Sequence, residues 1–351
     1  AALVVFGNNA PERIVVVLAW ASVLGSTLQF LVQLPRVLQF LPGFQPVLDT
    51  ASEHVRTVLR NFGPVFLSRG VVQISAYIDQ IIASFLGPLA VSTLGYGQII
   101  STLPVSLFGM SVSAAELPAL SSAIGTPDEV AATLRNRMSS ALRRIAFFVI
   151  PSAVAFLIIG DIVAAAVYLS GKFHYADAVY VWSVLGGSAV GLLASSLGRL
   201  YSSAFYALLD TRTPLRFAIV RVLLTTILGY VFALRLPAWL GLDPRWGVAG
   251  LTSSAGIAGW LEFALLRRAL TDRIGRVRMP VAFLSKLWVI AVFAGVLAFL
   301  CKMALGTTHG RLLASVAIPV YGIVYFGGTA LMGIKESRAV IDSLYRRLRL
   351  T

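Results

Sequence analysis

The stretch Phe62-Gly63-Pro64-Val65-Phe66-Leu67-Ser68-Arg69-Gly70-Val71-Val72-Gln73-Ile74-Ser75-Ala76-Tyr77-Ile78-Asp79-Gln80 is long and apolar enough to read as a bilayer span, which needs about 20 residues. It nevertheless carries an arginine, an aspartate and two glutamines. At 100° per residue, Arg69, Gln73, Tyr77, Gln80 and Ser84 fall within one narrow arc. Lipid cannot solvate such a stripe, so it faces protein or water. A charge at that depth costs roughly 2.5–3.5 kcal/mol even on a lenient scale and marks an interior pathway.

The rest of the chain has the same character. Of its 351 residues 58% are hydrophobic and 13% charged, against about 25% charged in a soluble domain. This composition defines an integral membrane protein. Further apolar windows fall near 14–34, 92–117, 145–168, 179–208, 215–236, 247–266, 284–304 and 312–333, so nine spans are expected with 63–86. The net charge of +14 would suit nucleic acid, but its placement argues otherwise. Alternate loops carry 20 Lys and Arg on one side and 6 on the other. The positive-inside rule puts the richer side, with the C-terminus, in the cytoplasm. The opening run Ala1-Ala2-Leu3-Val4-Val5-Phe6 resembles the end of an earlier span, and the chain is expected to be the C-terminal part of a longer protein.

Two longer cytoplasmic loops stand out. Residues 46–60 space Val47, Leu48, Ala51, Val55, Val58 and Leu59 as an amphipathic helix lying on the membrane, or as a plain connector. The other opens Thr126-Pro127-Asp128-Glu129, an N-cap with proline at the first helical position and acids in the first turn. An echo between residues 25–30 and 258–263 hints at two repeats.

Polar faces recur inside the spans. Gln98, Thr102, Ser106, Gly109, Ser113 and Glu116 share one side of a helix that Pro104 should kink. Ser188, Ser195, Arg199, Ser203 and Tyr206 line another, and Arg221, Thr225 and Gly229 a third. Small-residue helix packing explains the serines and glycines but not Gln98 or Glu116, so a cavity is the stronger reading. The intramembrane acids Asp79, Glu116 and Glu262, with Asp161 nearer the outer end, suit ion pairing with arginine, a coupling cation or a proton. Glu262, near a cytoplasmic rim, is expected to be solvated.

Enzyme chemistry finds little support. There is no Walker A loop, no Gly-x-Ser-x-Gly elbow and no His-Glu-x-x-His helix. The single Cys301 and the three dispersed histidines, His54, His174 and His309, offer no metal site. A membrane glycosyltransferase needs acids at the outer face, where Asp161, Asp177 and Asp243 are scattered singly.

Three runs carry a family resemblance. They are Gly63-Pro64 through Gln73-Ile74-Ser75 to Ala83-Ser84-Phe85-Leu86; Leu103-Pro104-Val105-Ser106-Leu107-Phe108-Gly109 to Glu116-Leu117-Pro118; and Ala204-Phe205-Tyr206-Ala207-Leu208-Leu209-Asp210-Thr211-Arg212-Thr213-Pro214. Together they resemble the MviN/MurJ lipid II flippases of the MATE-like (MOP) superfamily.

The resemblance implies an all-α polytopic bundle of fourteen helices in two six-helix lobes plus two more, of which this chain supplies the sixth to fourteenth. Residues 1–34 would end the N-terminal lobe and 35–61 would form a cytoplasmic linker. Residues 62–270 would form the C-terminal lobe, 284–333 two additional helices and 334–351 a basic cytoplasmic tail. It also implies a multi-pass protein of the bacterial cytoplasmic (inner) membrane. The cargo would be an undecaprenyl-diphosphate-linked glycopeptide lipid, flipped by alternating access without ATP or a cofactor. Monovalent-cation or membrane-potential coupling, and contact with membrane lipids and the cell-wall synthesis machinery, complete the expectation.

The expected cavity residues are Arg69, Gln73, Tyr77, Gln98, Thr102, Arg199 and Arg221, with Asp79, Glu116 and Thr225 for a cation or proton. Many relatives carry an arginine where this chain has Ile99, which puts the cargo in question more than the class. Another polyprenyl-linked glycan, or a non-transporting scaffold, stays open.

Overall fold

A computed structural model describes residues 11–39, 53–122, 126–305, 310–338 and 340. Within its helices some side chains, that of Arg69 among them, lie outside the description. The described residues are helical, with no strand among them. Their contacts divide the chain into residues 1–58 and 59–351.

In the first unit, α1 (Pro11–Gln39) satisfies its own polar groups. The Ser22, Ser26 and Thr27 hydroxyls each donate to the carbonyl four residues back, at 2.9–3.0 Å. An apolar environment demands such internal pairing. Helix α2 (Glu53–Ser84) begins before the unit boundary. Residues 53–60 are therefore the first turns of a span-length helix and not a separate surface helix. The remainder of that expectation, 46–52, lies outside the described residues, as does most of the basic tail.

The second unit continues through α3 (Pro88–Pro104), a π-helical turn (Val105–Met110) and α4 (Ser111–Ser121). Then come α5 (Pro127–Tyr168), α6 (Tyr175–Ala207) and α7 (Arg212–Tyr230), which runs through a second π turn (Val231–Arg235) into the short α8 (Leu236–Trp239). Helices α9 (Gly247–Ile274), α10 (Val281–Leu305) and α11 (Gly310–Leu331) complete it.

Eight helices among the described residues are long and apolar enough to cross a membrane, and they cover eight of the nine predicted windows. The ninth, 63–86, falls mostly on α2, which at 32 residues is long enough to span and whose side chains are described only in part.

Local chemistry explains the helix ends and breaks. The Thr126 hydroxyl accepts from the Glu129 N–H, and the Glu129 carboxylate accepts from the Thr126 N–H at 2.9 Å. This capping box starts α5 where the sequence predicts it. Further along, Pro151 has no N–H for the Phe147 carbonyl. The Tyr325 hydroxyl of α11 fills that gap at 2.6 Å, and the Tyr321 hydroxyl donates to the Pro151 carbonyl at 2.7 Å. At Ile159 the backbone leaves the helical region (φ −126°, ψ 24°). There Trp182 of α6 fits against Gly160 and donates its indole N–H to the carbonyls of Phe156 and Leu157 at 3.0 and 3.1 Å. An inserted side chain of this kind is a recognised cause of a kink.

The main core joins α5, α6, α10 and α11 through fully buried Leu134, Met138, Phe147, Ile150, Leu185, Leu287 and Ala317. A smaller cluster holds Ile82 and Ala83 of α2 with Leu94, Val184 and Leu251. The tightest crossing is α6 on α9. A Cβ on Gly191 would come within 2.2 Å of the Gly256 Cα, and one on Gly187 within 2.1 Å of the Thr252 hydroxyl. Gly187-x-x-x-Gly191 is thus a small-residue seam that brings two backbones together.

Candidate functional site

That close crossing forms one wall of a cavity of about 200 Å³. Its lining draws Asp79 from α2, Gln98 and Thr102 from α3, Ser188, Ser195 and Arg199 from α6, Arg221 from α7, and Thr252 from α9. Five of the ten expected cavity and cation residues therefore converge, Asp79, Gln98, Thr102, Arg199 and Arg221, together with Ser188 and Ser195 of the predicted polar faces. Thr102 and Arg199 are exposed, while Gln98, Asp79 and Arg221 are half-buried.

Other expected residues lie elsewhere. Gln73 and Tyr77 are exposed and do not line this cavity. Asp79 is two residues on from Tyr77, roughly 200° around the helix, and shares its side with the buried Ile82 and Ala83. The stripe chosen from the sequence and the side that lines the cavity are therefore different sides of α2. The backbone of Arg69 lies in α2, but its side chain is outside the described residues. Ile99 is 62% exposed and is not part of the lining.

The polar face predicted along 98–116 divides at the π turn. Beyond Pro104 the hydrogen-bond step lengthens to five residues, which inserts one residue into the register; accordingly, the Ser111 hydroxyl donates to the Ser106 carbonyl, five residues back, at 2.9 Å. Gln98 and Thr102 remain in the cavity. Gly109 packs against Ser196, where a Cβ would meet backbone at 3.2 Å, and Ser113 is buried. Glu116 sits between Arg137 and Arg144 of α5, at 3.6 and 3.8 Å, and has no place in the cavity lining.

The third polar face divides as well. Arg221 lines the cavity, whereas Thr225 and Gly229 are buried, Gly229 against Leu251 and Ser254 of α9. Arg221 pairs with Glu262 at 3.0 Å. Glu262 is thus no solvated rim residue: its side chain is only 14% exposed. Ion pairing with an arginine is one expectation for Glu262, but the particular partner is not legible in the sequence, because the two residues lie 41 residues apart on helices whose relative rotation is set by packing. Asp161 is likewise buried, held by Lys302 of α10 and the Tyr175 hydroxyl.

The run from Phe205 to Pro214 proves to be a corner. Leu209 takes a left-handed φ of 58°, and the Asp210 carboxylate accepts from the N–H groups of Arg212 and Thr213 at 3.1 and 3.0 Å. Arg273 of α9 pairs with it. Partial burial pushes the Asp210 carboxyl up, but the Thr213 hydrogen bonds and Arg273 outweigh this and hold it below its usual range.

A helical bundle with arginine, aspartate and amides gathered in an intramembrane cavity defines a multi-pass membrane protein with a polar interior site, as in transporters. The family model described as "Lipid II flippase MurJ" matches residues 1–316, and the chain belongs to that family. It is 30% identical over 337 residues to the lipid II flippase MurJ of Burkholderia cenocepacia, covering 91% of this chain and 62% of that protein. It is 27% identical to a probable lipid II flippase MurJ of Bdellovibrio bacteriovorus, covering 91% of this chain and 60% of the relative. The chain thus spans about three fifths of the length of these relatives. A solved structure titled "Lipid II flippase MurJ, inward closed conformation" shares its fold, with a TM-score of 0.64 at 21% identity, over 88% of this chain and 61% of the other.

Proposed function

We propose that the protein flips the lipid-linked peptidoglycan precursor lipid II from the inner to the outer leaflet of the bacterial cytoplasmic membrane by alternating access. The observation that carries this reading is the convergence of Arg199 and Arg221 with Gln98 and Thr102 in one cavity. Ligand pockets for whole drug-sized molecules run to about 300–1,000 Å³, so a cavity of about 200 Å³ suits a diphosphate and not an entire glycopeptide. Guanidinium forks match phosphate oxygens, and a low-dielectric site strengthens the contact. The lipid tail stays in the bilayer. Arg221 also binds Glu262, so the cargo competes for it.

On this reading residues 62–270 form the working lobe and 1–34 belong to the opposite one. Residues 35–61 link them, 284–333 are additional helices, and the C-terminus faces the cytoplasm. The names of the relatives and the family model support lipid II over another polyprenyl-linked glycan. Replacing Arg199 with alanine in the whole protein should lower flipping in a reconstituted assay about ten- to hundredfold, the worth of a charged hydrogen bond. Undiminished flipping would remove the role and favour a scaffold.

We propose Asp79 as the coupling residue, with Thr225 as a second candidate oxygen ligand. The Asp79 Oδ1 and Thr225 Oγ1 atoms are buried without a hydrogen-bond partner among the described residues, and hard oxygens of this kind fit an alkali cation. The Asp79 carboxylate and the Thr225 hydroxyl would hold the cation, which would supply positive charge against the carboxylate. The ion pairs of Glu116 occupy it otherwise. Asp79→Asn should abolish any dependence of transport on sodium or membrane potential, and a dependence unchanged from the parent protein would exclude Asp79.

A further inference from the structure

A second cavity, of about 420 Å³, opens between α5 and the connector from α9 to α10, residues 275–280. It is lined by Arg135, Asn136, Ser139, Gly275, Arg276 and Arg278. The charge bias of the loops places both walls on the cytoplasmic side. Arg135 donates to the carbonyl of Ile274, the last residue of α9. The Ser139 hydroxyl donates to the Arg278 carbonyl at 2.9 Å. These bonds satisfy backbone oxygens at and beyond a helix end and so explain Arg135 and Ser139.

They do not explain the Arg276 and Arg278 side chains, which are exposed. The lining holds no carboxylate. Asp272, four residues before Arg276, is not part of it, and among the described residues none of the three arginines makes an ion pair. Gly275, with φ +82°, leaves the Arg135 guanidinium room: a Cβ there would sit 3.2 Å from its Nη1. Three guanidinium groups with no carboxylate among them around one concavity repel one another, and an anion relieves that repulsion.

We propose that this pocket binds the phosphate group of an anionic lipid of the cytoplasmic leaflet. Arginine forks take phosphate oxygens in pairs, and basic pockets between helices on the cytoplasmic side suit lipid headgroups. Asn136 and Ser139 add neutral groups for the polar remainder of the headgroup. The volume exceeds what a lone phosphate needs and lies within the range of headgroup-sized ligands. The site is separate from the cargo cavity and does not depend on the cargo's identity.

The test is equilibrium binding of fluorescent phosphatidylglycerol to the purified whole protein in neutral detergent, with phosphatidylcholine and inorganic phosphate as competitors. Arg276→Gln with Arg278→Gln should weaken binding about thirtyfold. Arg267→Gln with Arg268→Gln removes equal charge from exposed positions on α9 and should change it little. Equal losses in the two double variants would reduce the pocket to generic basic surface and overturn the proposal, as would absence of binding. Competition by inorganic phosphate as strong as by unlabelled phosphatidylglycerol would overturn the lipid as the source. Should the Arg276/Arg278 variant fail to fold, selective protection of the unaltered protein against heating by phosphatidylglycerol over phosphatidylcholine supports the proposal, and equal protection refutes it.

Discussion

Arg221 has two relationships that pull in different directions. It lines the cavity with Asp79 and Arg199, yet its guanidinium is held by Glu262 at 3.0 Å. The pair is partly shielded, with side chains 29% and 14% exposed. Removing one partner strands the other charge, while removing both does not. Glu262→Gln should therefore destabilise the protein by about 1–3 kcal/mol, read from its unfolding midpoint in detergent. In the Arg221→Gln background the same change should cost much less. Equal costs in the two backgrounds would mean that the residues do not interact.

At the scale of the helix, the hydrogen-bond ladder of α5 is interrupted at Pro151 and the helix is kinked at Ile159, and side chains of other helices fill both places. Pro151 deprives the Phe147 carbonyl of its donor, and the Tyr325 hydroxyl replaces it at 2.6 Å. Tyr325→Phe should cost about 1–3 kcal/mol, the penalty of a buried unpaired acceptor. With Pro151→Ala the helix regains its own N–H, so the Tyr325→Phe penalty should shrink; an undiminished penalty would show that packing and not the hydrogen bond is lost.

The helices themselves were legible in the sequence, because apolar length and the Thr126-Pro127-Asp128-Glu129 signal depend on local chemistry alone. Gln98, Thr102, Arg199 and Arg221 were legible as interior polar groups for the same reason. Of the polar α2 residues Gln73, Tyr77 and Asp79 named from the sequence, Asp79 lines the cavity and Gln73 and Tyr77 do not, because a polar stripe shows which side of α2 avoids lipid, not which side meets α3 and α6. The turn in register after Pro104 was hidden because proline signals a break but not a π turn. The seam Gly187-x-x-x-Gly191 is present in the sequence as small-residue spacing, but its partner, α9, is shown only by the packing.

For the second unit as a whole, α10 and the segment around α11 are bound to α5 by polar contacts as well as by the core. Asp161 takes Lys302 and Tyr175, and Arg143 takes Glu336 at 2.9 Å while stacking over Phe283 at 4.4 Å. Asp161 is 1% exposed, so it is the costlier charge to strand. Lys302→Met should destabilise the protein by about 3–5 kcal/mol and loosen α10, seen as faster amide exchange there. Asp161→Asn with Lys302→Met should recover most of that loss, and failure to recover would assign Lys302 a packing role.

The Tyr325–Phe147 bond also has a consequence in time. Its partners are 178 residues apart, so a ribosome adding roughly 5–20 residues per second needs about 10–35 s to make the second after the first. Throughout that interval α5 is in the membrane with a carbonyl that α11 cannot yet reach, and an unsatisfied group there costs several kcal/mol. Helix α5 therefore matures late although it is made early. A nascent chain halted before Tyr325 should hold α5 in a state more open to water, and more exposed to quality-control proteases, than the finished protein.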